Sequence, residues 1–560
     1  MPMSVDALES ELRSPAGLAP RRLSICLINP RFEPSYFGNE YALALHPQDK
    51  RSYMITGALP ALAGLVPDGH DVELLDENIE AIDFEALRRF DVVGVTGMIV
   101  QRGRLEQILL RLKPLPVIVA VGGPYISVEE SFFDGLCDVR FIGEAETTWP
   151  MFLRDLAAGR PTLSRYEQQE RTDMSTVPAP RYDLVNARHY MLAPLQVSRG
   201  CPFLCEFCDI IVIFGRKPRL KTPDQVIAEL EAVRRAGFRS CFVVDDNFIG
   251  NKGQAKKLLP RITQWQKQHG YPLALSTEAS INLGDDAELL ELMVQANFHH
   301  VFVGIESPRS ESLKETRKNQ NLHGDSMADK LRRIRDAGLV VEGGFIVGFD
   351  NDDAAIFEEQ FRFIQDNGIG LAVVSKLTPI PSTPLHARLK AEGRLDFSDP
   401  ECLFLPRQMT REQLKQGHRD LVQRLASAEN FFARLFKGYS ESSEFRRHRA
   451  ERAAQMPRPS RRQRLLSLAG ALITSAKLAR ALSAEGMLRS LAPVYIRVYR
   501  GQRKQLGAEA MPLPSFVGLC ALQWHQHRIA HRSVEHWGAA LPRQADLAAA
   551  PTSSEHREAA

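Results

Sequence analysis

The sequence predicts an α/β protein in which two parallel-sheet domains are followed by a helical region. Short apolar, β-branched runs alternate with segments of helical periodicity in two separate stretches, and this strand signal stops after about Arg394. Strands that are buried on both faces of a parallel sheet give such continuous apolar runs. The 560 residues are 44% hydrophobic and 25% charged, which is ordinary for a globular chain of three or four domains.

The first alternating stretch runs from Leu23 to about Gly159 and contains five candidate strands. These strands are Leu23–Asn29, Val72–Asp76, Val92–Thr96, Val117–Val121 and Val139–Ile142. We interpret residues 21–160 as a doubly wound, Rossmann-like domain. Residues 1–20 are predicted to be a disordered tail, and the polar segment 161–190 is predicted to be a linker.

Residues 191–395 are predicted to form a partial (β/α)6 barrel. Its six candidate strands are Leu195–Ser198, Cys241–Asp245, Leu273–Thr277, Val301–Ile305, Phe345–Val347 and Ala372–Leu377. Between the first two strands, Thr222 and Gln225 form a capping box that predicts the start of a helix, and Gly237 predicts its end. Functional groups of such a barrel are expected at the carboxyl ends of the strands.

Residues 396–539 are predicted to be a helical domain, followed by a disordered tail at 540–560. Within this region, residues 446–504 contain fifteen Lys and Arg against two acidic residues. The favoured interpretation is a solvated helical face that packs on the barrel. The alternative is peripheral contact with an anionic membrane, which would suit a lipid substrate.

Other partner classes are disfavoured by the composition. The net charge of +3 is too small for a global nucleic-acid field, and Tyr495 and Tyr499 are too few aromatics for base stacking within the basic region. No run of about 18 apolar residues predicts a membrane-spanning helix, and the N-terminus lacks the apolar core of a secretion signal. We therefore expect a cytoplasmic protein, with a peripheral position at the inner membrane face as the alternative.

Three of the eight cysteines, Cys201, Cys205 and Cys208, lie together in a C-x3-C-x2-C spacing. They follow the first predicted barrel strand, and three thiolates on one short loop can hold three irons of a [4Fe–4S] cluster. Because a fourth cysteine is usual in such clusters, the missing ligand would leave one iron open to a small molecule. The alternatives are a zinc site, which normally requires four protein ligands, or three packed cysteines.

This spacing after the first strand of a partial barrel resembles the radical S-adenosylmethionine (SAM) enzymes, in which the open iron binds SAM. Further positions at the predicted strand ends are similar to SAM-contacting positions of that family. The resemblance implies SAM contacts at Phe207, Asp245, Asp246, Asn247, Ser276, Glu278, Glu306, Gly343 and Gly344.

Each of these positions also has a structural interpretation. Asp245 and Asp246 could cap the following helix. Glu278 and Glu306 could form ion pairs with Arg309 or Lys314, and the two adjacent glycines could mark a β-bulge.

The domain at 21–160 lacks the G-x-G-x-x-G of dinucleotide-binding proteins after its first strand. Placed before a radical SAM barrel, it resembles the cobalamin-binding domain of cobalamin-dependent radical SAM enzymes. The resemblance implies cobalamin contacts at Thr96, Gly97, Gly122, Gly123, Gly143 and Glu144. The D-x-H-x-x-G signature of cobalt ligation is absent, so no histidine from that motif is expected on cobalt, and a relic domain without cofactor is the alternative.

The whole arrangement resembles the class B radical SAM methyltransferases, in the subgroup that includes the hopanoid C-2 methylase. The resemblance implies cobalamin-dependent methylation of an unactivated carbon of a lipid or other small molecule through a 5′-deoxyadenosyl radical. It also implies an electron donor such as flavodoxin or ferredoxin, and the composition predicts no nucleic-acid partner. The alternatives are a radical SAM cyclase or oxidoreductase without methyl transfer, and a non-catalytic iron–sulfur or cobalamin sensor.

Overall fold

The computed structural model describes residues 21–532, so the predicted tails at 1–20 and 540–560, and residues 533–539, lie outside the described part. The described chain divides into two units. The first comprises residues 21–31, 58–172 and 177–184, and the second comprises residues 32–57, 173–176 and 185–532.

The elements of both units are numbered in chain order. The strands are β1 (Ser24–Asn29), β2 (Ser52–Met54), β3 (Asp71–Asp76), β4 (Val92–Thr96), β5 (Ile118–Gly122), β6 (Val139–Ile142), β7 (Arg165–Glu167), β8 (Tyr190–Leu195), β9 (Ser198–Arg199), β10 (Arg219–Leu220), β11 (Ser240–Val243), β12 (Ala274–Ala279), β13 (Phe298–Glu306), β14 (Val340–Val347) and β15 (Leu371–Lys376). The helices are α1 (Glu40–Ala44), α2 (Ala58–Gly64), α3 (Arg102–Leu112), α4 (Pro124–Val128), α5 (Thr148–Ala157), α6 (Ile210–Ile213), α7 (Pro223–Arg235), α8 (Lys252–Gln268), α9 (Ala287–Gln295), α10 (Ser310–Glu315), α11 (Met327–Asp336), α12 (Ile356–Asp366), α13 (Pro384–Ala391), α14 (Arg411–Ala426), α15 (Ala428–Glu441), α16 (Ser443–Gln455), α17 (Arg461–Ala484), α18 (Leu488–Leu506) and α19 (Leu513–Ala530).

The first unit is built on a parallel sheet of order β3-β1-β4-β5-β6-β7. The predicted doubly wound domain and its five strands are confirmed. The chain order reverses between β1 and β4, which is the topological switch point where ligands bind in this class of sheet. The edge strand β7 lies in the segment that was predicted to be a linker. The sequence did not indicate this strand, because its three residues have polar ends and form no apolar run.

The second unit contains a parallel sheet of order β15-β14-β13-β12-β11-β8-β2. The predicted six barrel strands are present, and the predicted partial barrel is confirmed. The first of them, β8, ends at Leu195 rather than at Ser198. The reason is that the Val197 N–H donates to the Asp245 carboxylate at 2.7 Å.

The seventh strand of this sheet comes from the segment 32–57, which the sequence analysis assigned to the first domain. Here β2 pairs in parallel with β8, with Ser52 opposite Tyr190. The ring of Phe37 lies 5.6 Å from the ring of Phe302 on β13. The local sequence gives no sign of these contacts, since they depend on chain more than a hundred residues away.

Helix α7 has the predicted capping box, in which the Thr222 hydroxyl accepts the Gln225 N–H and the Gln225 side chain accepts the Thr222 N–H. Its apolar stripe, Val226, Leu230 and Val233, is fully buried. Gly237 follows it with a φ of 94°, the left-handed conformation that ends a helix.

Helices α14 to α19 form the predicted helical region. Buried aromatic residues of its core include Phe431, Phe432, Tyr495, Phe516 and Trp524. Within residues 21–532, α17 is the one helix long and apolar enough to cross a membrane by length and composition, and 22% of its apolar window is buried. Such a helix is weak evidence of a membrane span, because core helices pass the same test.

Candidate cluster and cofactor sites

The cysteine loop begins directly after β9, which pairs with β10 in an antiparallel ladder. The Cys201 N–H donates to the Gly215 carbonyl at 3.3 Å, and the Cys208 N–H donates to the Cys205 carbonyl at 3.2 Å. Gly200 has a φ of 92°, and a Cβ there would lie 2.9 Å from the Gly215 oxygen. Glycine is therefore required immediately before the first cysteine.

Two aspartates at the end of β11 hold the segment that leads into this loop. Asp245 accepts the Val197 N–H and the Ser198 hydroxyl, both at 2.7 Å, and Asp246 accepts the Gly200 N–H at 2.7 Å. Burial raises the pKa of Asp245 to about 7 and that of Asp246 to about 6. The helix that follows is capped by Asn251 instead, so the capping interpretation of these aspartates is wrong.

Side-chain amides point at two of the three sulfurs. The Gln320 Nε2 lies 3.5 Å from the Cys205 Sγ, and the Asn247 Nδ2 lies 4.0 Å from the Cys201 Sγ. Burial raises the pKa of the Cys208 thiol to about 12. Such a thiol ionises readily only beside a positive metal centre, and amide donors toward sulfur are a means of tuning iron–sulfur clusters.

Among residues 21–532, no three Cys, His, Asp or Glu side chains converge on a point where one metal ion could sit. The chemistry of the donor set, three thiols on one short loop without a fourth protein ligand in the described chain, fits a [4Fe–4S] cluster with one open iron better than a structural zinc site, which normally has four protein ligands.

Glu306 closes the fourth predicted strand in the left-handed conformation, with a φ of 65°. Its carboxylate receives the Lys318 ammonium at 2.7 Å, and both side chains are about nine-tenths buried. The proposed pairing with Arg309 is wrong, since Arg309 binds Glu359 and Asp353. The bulge lies at Gly304–Glu306, and Gly343 and Gly344 pair regularly with both neighbouring strands, so the bulge interpretation of those glycines is wrong.

Glu278 is exposed in the structure, yet its carboxyl is desolvated. Burial, followed by the charges of Asp246 and Glu306, raises the pKa of Glu278 to about 7. The β-register places Glu278 beside Phe302, and Phe302 beside Glu342, on one face of the sheet.

The remaining residues predicted to contact SAM have different surroundings in the structure. Phe207 lies 6.2 Å from Phe349, ring centroid to ring centroid. Gly344 lies beneath the Phe302 ring, because a Cβ there would be 3.1 Å from it, whereas a Cβ on Gly343 would meet Ile305 and Ile369 on the opposite face. The Ser276 hydroxyl lies 3.5 Å from the Cys241 carbonyl, on the same strand as Glu278.

The first unit has a cleft at the carboxyl ends of β1, β4, β5 and β6. It is lined by residues that include Gly94, Thr96, Gly122, Gly123, Gly143 and Trp149. Its volume of about 60 Å³ would hold a fragment of a large ligand rather than the whole. The Trp149 indole N–H is buried and has no acceptor among residues 21–532. An open glycine cradle with an orphaned donor fits partial entry of a corrinoid.

Two predicted cobalamin positions lie outside the lining of this cleft. Glu144 accepts the Thr172 N–H at 2.8 Å, and Gly97 packs against Leu105. His70 is the one histidine in residues 21–31, 58–172 and 177–184. Its ring accepts the Leu23 N–H at 3.2 Å, at the amino end of β1 and away from the cleft.

Four residues were not predicted from the sequence: Lys318 and Gln320, in the loop that contacts the cysteine segment, and Gly94 and Trp149, at the cleft. A lysine or glutamine in a connecting loop forms no recognisable spacing pattern. Gly94 lies inside a strand, where an isolated glycine signals close approach, and this signal could have found it.

Comparisons with known proteins show which family the chain resembles. The model of the Radical SAM superfamily matches residues 195–364, and that of a domain of unknown function, DUF4070, matches residues 383–536. A hopanoid C-2 methylase from Rhodopseudomonas palustris is 36% identical over 394 residues, covering 69% of this chain and 73% of that protein. The chain belongs to the radical SAM enzymes. Membership in this family implies a [4Fe–4S] cluster and SAM.

Other relatives of this radical SAM enzyme are named methyltransferases. An uncharacterized methyltransferase from Synechocystis sp. is 40% identical over 371 residues, covering 66% of this chain and 68% of that protein. The structure of the methyltransferase TsrM from Kitasatospora setae, with cobalamin and a [4Fe–4S] cluster bound, matches with a TM-score of 0.54 at 17% identity, covering 68% of this chain and 79% of that chain. The cobalamin-dependent enzyme OxsB matches with a TM-score of 0.56 at 14% identity, covering 92% of this chain and 85% of that chain. At these identities the two structures show a shared fold.

Proposed function

We propose that this radical SAM enzyme transfers a methyl group to an unactivated carbon of a lipid or other apolar small molecule, with cobalamin as methyl carrier. The observation that carries the proposal is the three-cysteine loop at the carboxyl ends of a parallel half-barrel, in one chain with a second sheet that has a ligand cleft at its switch point. When bound, the cluster supplies the electron that cleaves SAM, and cobalamin supplies the methyl group.

In this proposal Cys201, Cys205 and Cys208 hold the cluster, and Asp245 and Asp246 position their loop. Glu278 and Asn247 are the polar groups proposed to orient SAM, because Glu278 lies near the carboxyl end of β12 and Asn247 lies 4.0 Å from the Cys201 sulfur. Gly344 packs directly against the Phe302 ring, and we assign this strand end to the wall beside SAM. Gly343 and Ser276 are proposed to stabilise the packing of neighbouring strands rather than to contact SAM.

The proposed division of labour gives cobalamin to residues 21–160 and the cluster and SAM to residues 191–395. Thr96, Gly122, Gly123 and Gly143 line the cleft of the first unit and would contact the corrinoid. Because His70 lies at the amino end of β1, no histidine of this unit would ligate cobalt.

The test is anaerobic reconstitution of the full chain with iron, sulfide and cobalamin. Visible spectra should report both cofactors, and reductant with SAM should yield 5′-deoxyadenosine. Cys205→Ala should lose the cluster spectrum and this product, while Cys137→Ala, which removes a half-buried thiol of the first unit, should retain both. SAM cleavage by the Cys205 variant would disprove the cluster assignment. A product heavier by one methylene supports methyl transfer, and loss of hydrogen supports the oxidoreductase alternative.

A lipid substrate is favoured by the exposure of α17. Leu465, Leu466 and Leu472 are 67%, 61% and 68% exposed, and Arg461, Arg462 and Arg464 precede or flank them. The carboxyl half of α17 is anchored in the protein, with Leu478 and Leu482 in its aromatic core. The exposed half therefore suits an anionic bilayer surface, which it would enter shallowly rather than cross.

Sedimentation with vesicles tests this surface. The full chain should bind vesicles rich in phosphatidylglycerol and release at high salt. The triple change of Leu465, Leu466 and Leu472 to Gln should abolish binding, whereas Leu163→Gln, at a leucine 61% exposed elsewhere, should not. Unchanged vesicle binding by the triple variant, or its loss of self-association instead, would overturn the membrane assignment.

The remaining partner in the proposal is a low-potential donor such as flavodoxin or ferredoxin, in the cytoplasm. Leu204, between the first two cysteines, is 38% exposed, so the cysteine loop reaches the surface of its unit. A donor that docks at this surface would have a short electron-transfer path to the cluster.

A further inference from the structure

Lys318 is a buried lysine of the second unit whose ammonium is held in one position by an ion pair. Its ammonium lies 2.7 Å from Glu306 Oε1, and its side chain is 10% exposed. The missing side chain of Gly304 provides the space, because a Cβ there would lie 2.5 Å from the Glu306 oxygen and 2.7 Å from the Lys318 nitrogen. The backbone of Gly304 therefore lies directly against both charged ends of the ion pair.

The loop that carries Lys318 is attached to the cysteine loop. The Glu206 N–H donates to the Thr316 carbonyl at 3.0 Å, and the Gln320 amide lies 3.5 Å from the Cys205 sulfur. The Lys318 nitrogen lies 5.9 Å from the centre of the Phe207 ring. Residues on both sides of Lys318 therefore contact the segment that holds the sulfurs.

The Lys318 ammonium is close enough to Cys201, Cys208 and Glu278 for its charge to act on all three, and it pairs directly with Glu306.

We propose that Lys318 is a positioning residue that sets the reduction potential of the cysteine-bound cluster, by stabilising the negative charge gained when the cluster accepts one electron from a low-potential donor. This inference rests on the proposed function.

The physical reason is the sensitivity of a buried cluster to nearby charge. Net charge, hydrogen bonds to sulfur and solvent exposure all tune such potentials. A fixed cation in a low-dielectric interior stabilises the more negative, reduced state more than the oxidised state. The Glu306 carboxylate pairs with this ammonium and opposes the effect, so loss of one partner should shift the potential in the opposite direction to loss of the other.

The test is a reductive titration of the anaerobically reconstituted full chain without SAM, followed by electron paramagnetic resonance. Lys318→Met should lower the one-electron equilibrium constant for cluster reduction at least tenfold, which is about 59 mV in midpoint potential. Lys318→Arg should restore most of the shift. Lys221→Met removes another buried lysine that pairs with a glutamate, Glu229, and should leave the potential unchanged.

An unaltered potential in Lys318→Met with a full complement of iron would overturn the inference. If that variant does not load a cluster, Glu306→Gln decides, because removal of the opposing charge must raise the midpoint, and an unchanged or lower value rejects the proposal. Absence of a cluster from the unsubstituted protein would instead reject the proposed function.

Discussion

The Ser198 hydroxyl donates a 2.7 Å hydrogen bond to the carboxylate of Asp245, and both residues are almost fully buried. The other oxygen of this carboxylate accepts the Val197 N–H. Ser198 lies three residues before the first cysteine, and Asp245 lies two residues after β11. The end of the second barrel strand therefore determines where the first strand stops and where the cysteine loop begins.

Asp245→Ala should destabilise the protein, because it leaves the Val197 N–H and the Ser198 hydroxyl without their acceptor. Each buried group left unpaired costs about 1–3 kcal/mol. The free energy of unfolding from urea titration and the iron content after reconstitution should both fall. Asp224→Ala, at a side chain 84% exposed on α7, is the control and should change neither.

Gly304→Ala should break the Lys318–Glu306 pair, because the new methyl group would overlap both charged ends. We expect a loss of about 1–3 kcal/mol in unfolding free energy from overpacking, together with reduced formation of 5′-deoxyadenosine. Gly253→Ala on α8 is the matched control, since its methyl group would lie 3.7 Å from the nearest atom. Equal behaviour of the two variants would contradict the close packing seen at Gly304.

Gly123→Ala should be far more damaging to the first unit than Gly143→Ala. Both glycines have a positive φ, of 108° and 75°. A Cβ on Gly123 would lie 2.5 Å from the Thr96 hydroxyl, whereas a Cβ on Gly143 would meet nothing within 4 Å. Thermal unfolding should show a backbone cost of about 1–2 kcal/mol for Gly143→Ala and a larger cost for Gly123→Ala, with weaker cobalamin retention.

Stability should respond to pH through Asp352. Its carboxylate accepts the Gly348 and Phe349 N–H groups and the Ser312 hydroxyl, but burial raises its pKa to about 6. Because this value is above the unfolded value of about 3.9, the folded state binds the proton more tightly. The contribution of Asp352 to the free energy of unfolding is therefore least favourable above pH 6, and it becomes more stabilising as the pH falls through 6 towards 4.

The measurement is the urea midpoint of the full chain and of Asp352→Asn between pH 7.5 and 5. As the pH falls, the urea midpoint of the unsubstituted protein should rise relative to that of Asp352→Asn, because the Asn amide does not titrate. A difference that is constant over this range would show that Asp352 has an ordinary pKa.

The local sequence pattern was sufficient to predict those elements whose stabilising interactions join residues close in the chain. The capping box of α7 and the apolar stripe behind it predicted the helix that the structure has, because its first hydrogen bonds join residues three apart. The boundary of β8 could not be predicted in this way. Tyr190–Leu195 and Leu195–Ser198 are both compatible with a strand, and the carboxylate of Asp245, about fifty residues away, decides between them.

The amino-acid sequence by itself determined the two alternating α/β stretches, the cysteine spacing and the resemblance to radical SAM enzymes, because each depends on residues close in the chain. Only the tertiary structure decided that residues 32–57 add a strand to the barrel sheet, and that the loop carrying Lys318 contacts the cysteine loop. It also decided that Glu306 pairs with Lys318 instead of Arg309. These outcomes depend on which distant groups meet in a buried space, where an unpaired charge or a missing Cβ matters more than local preference.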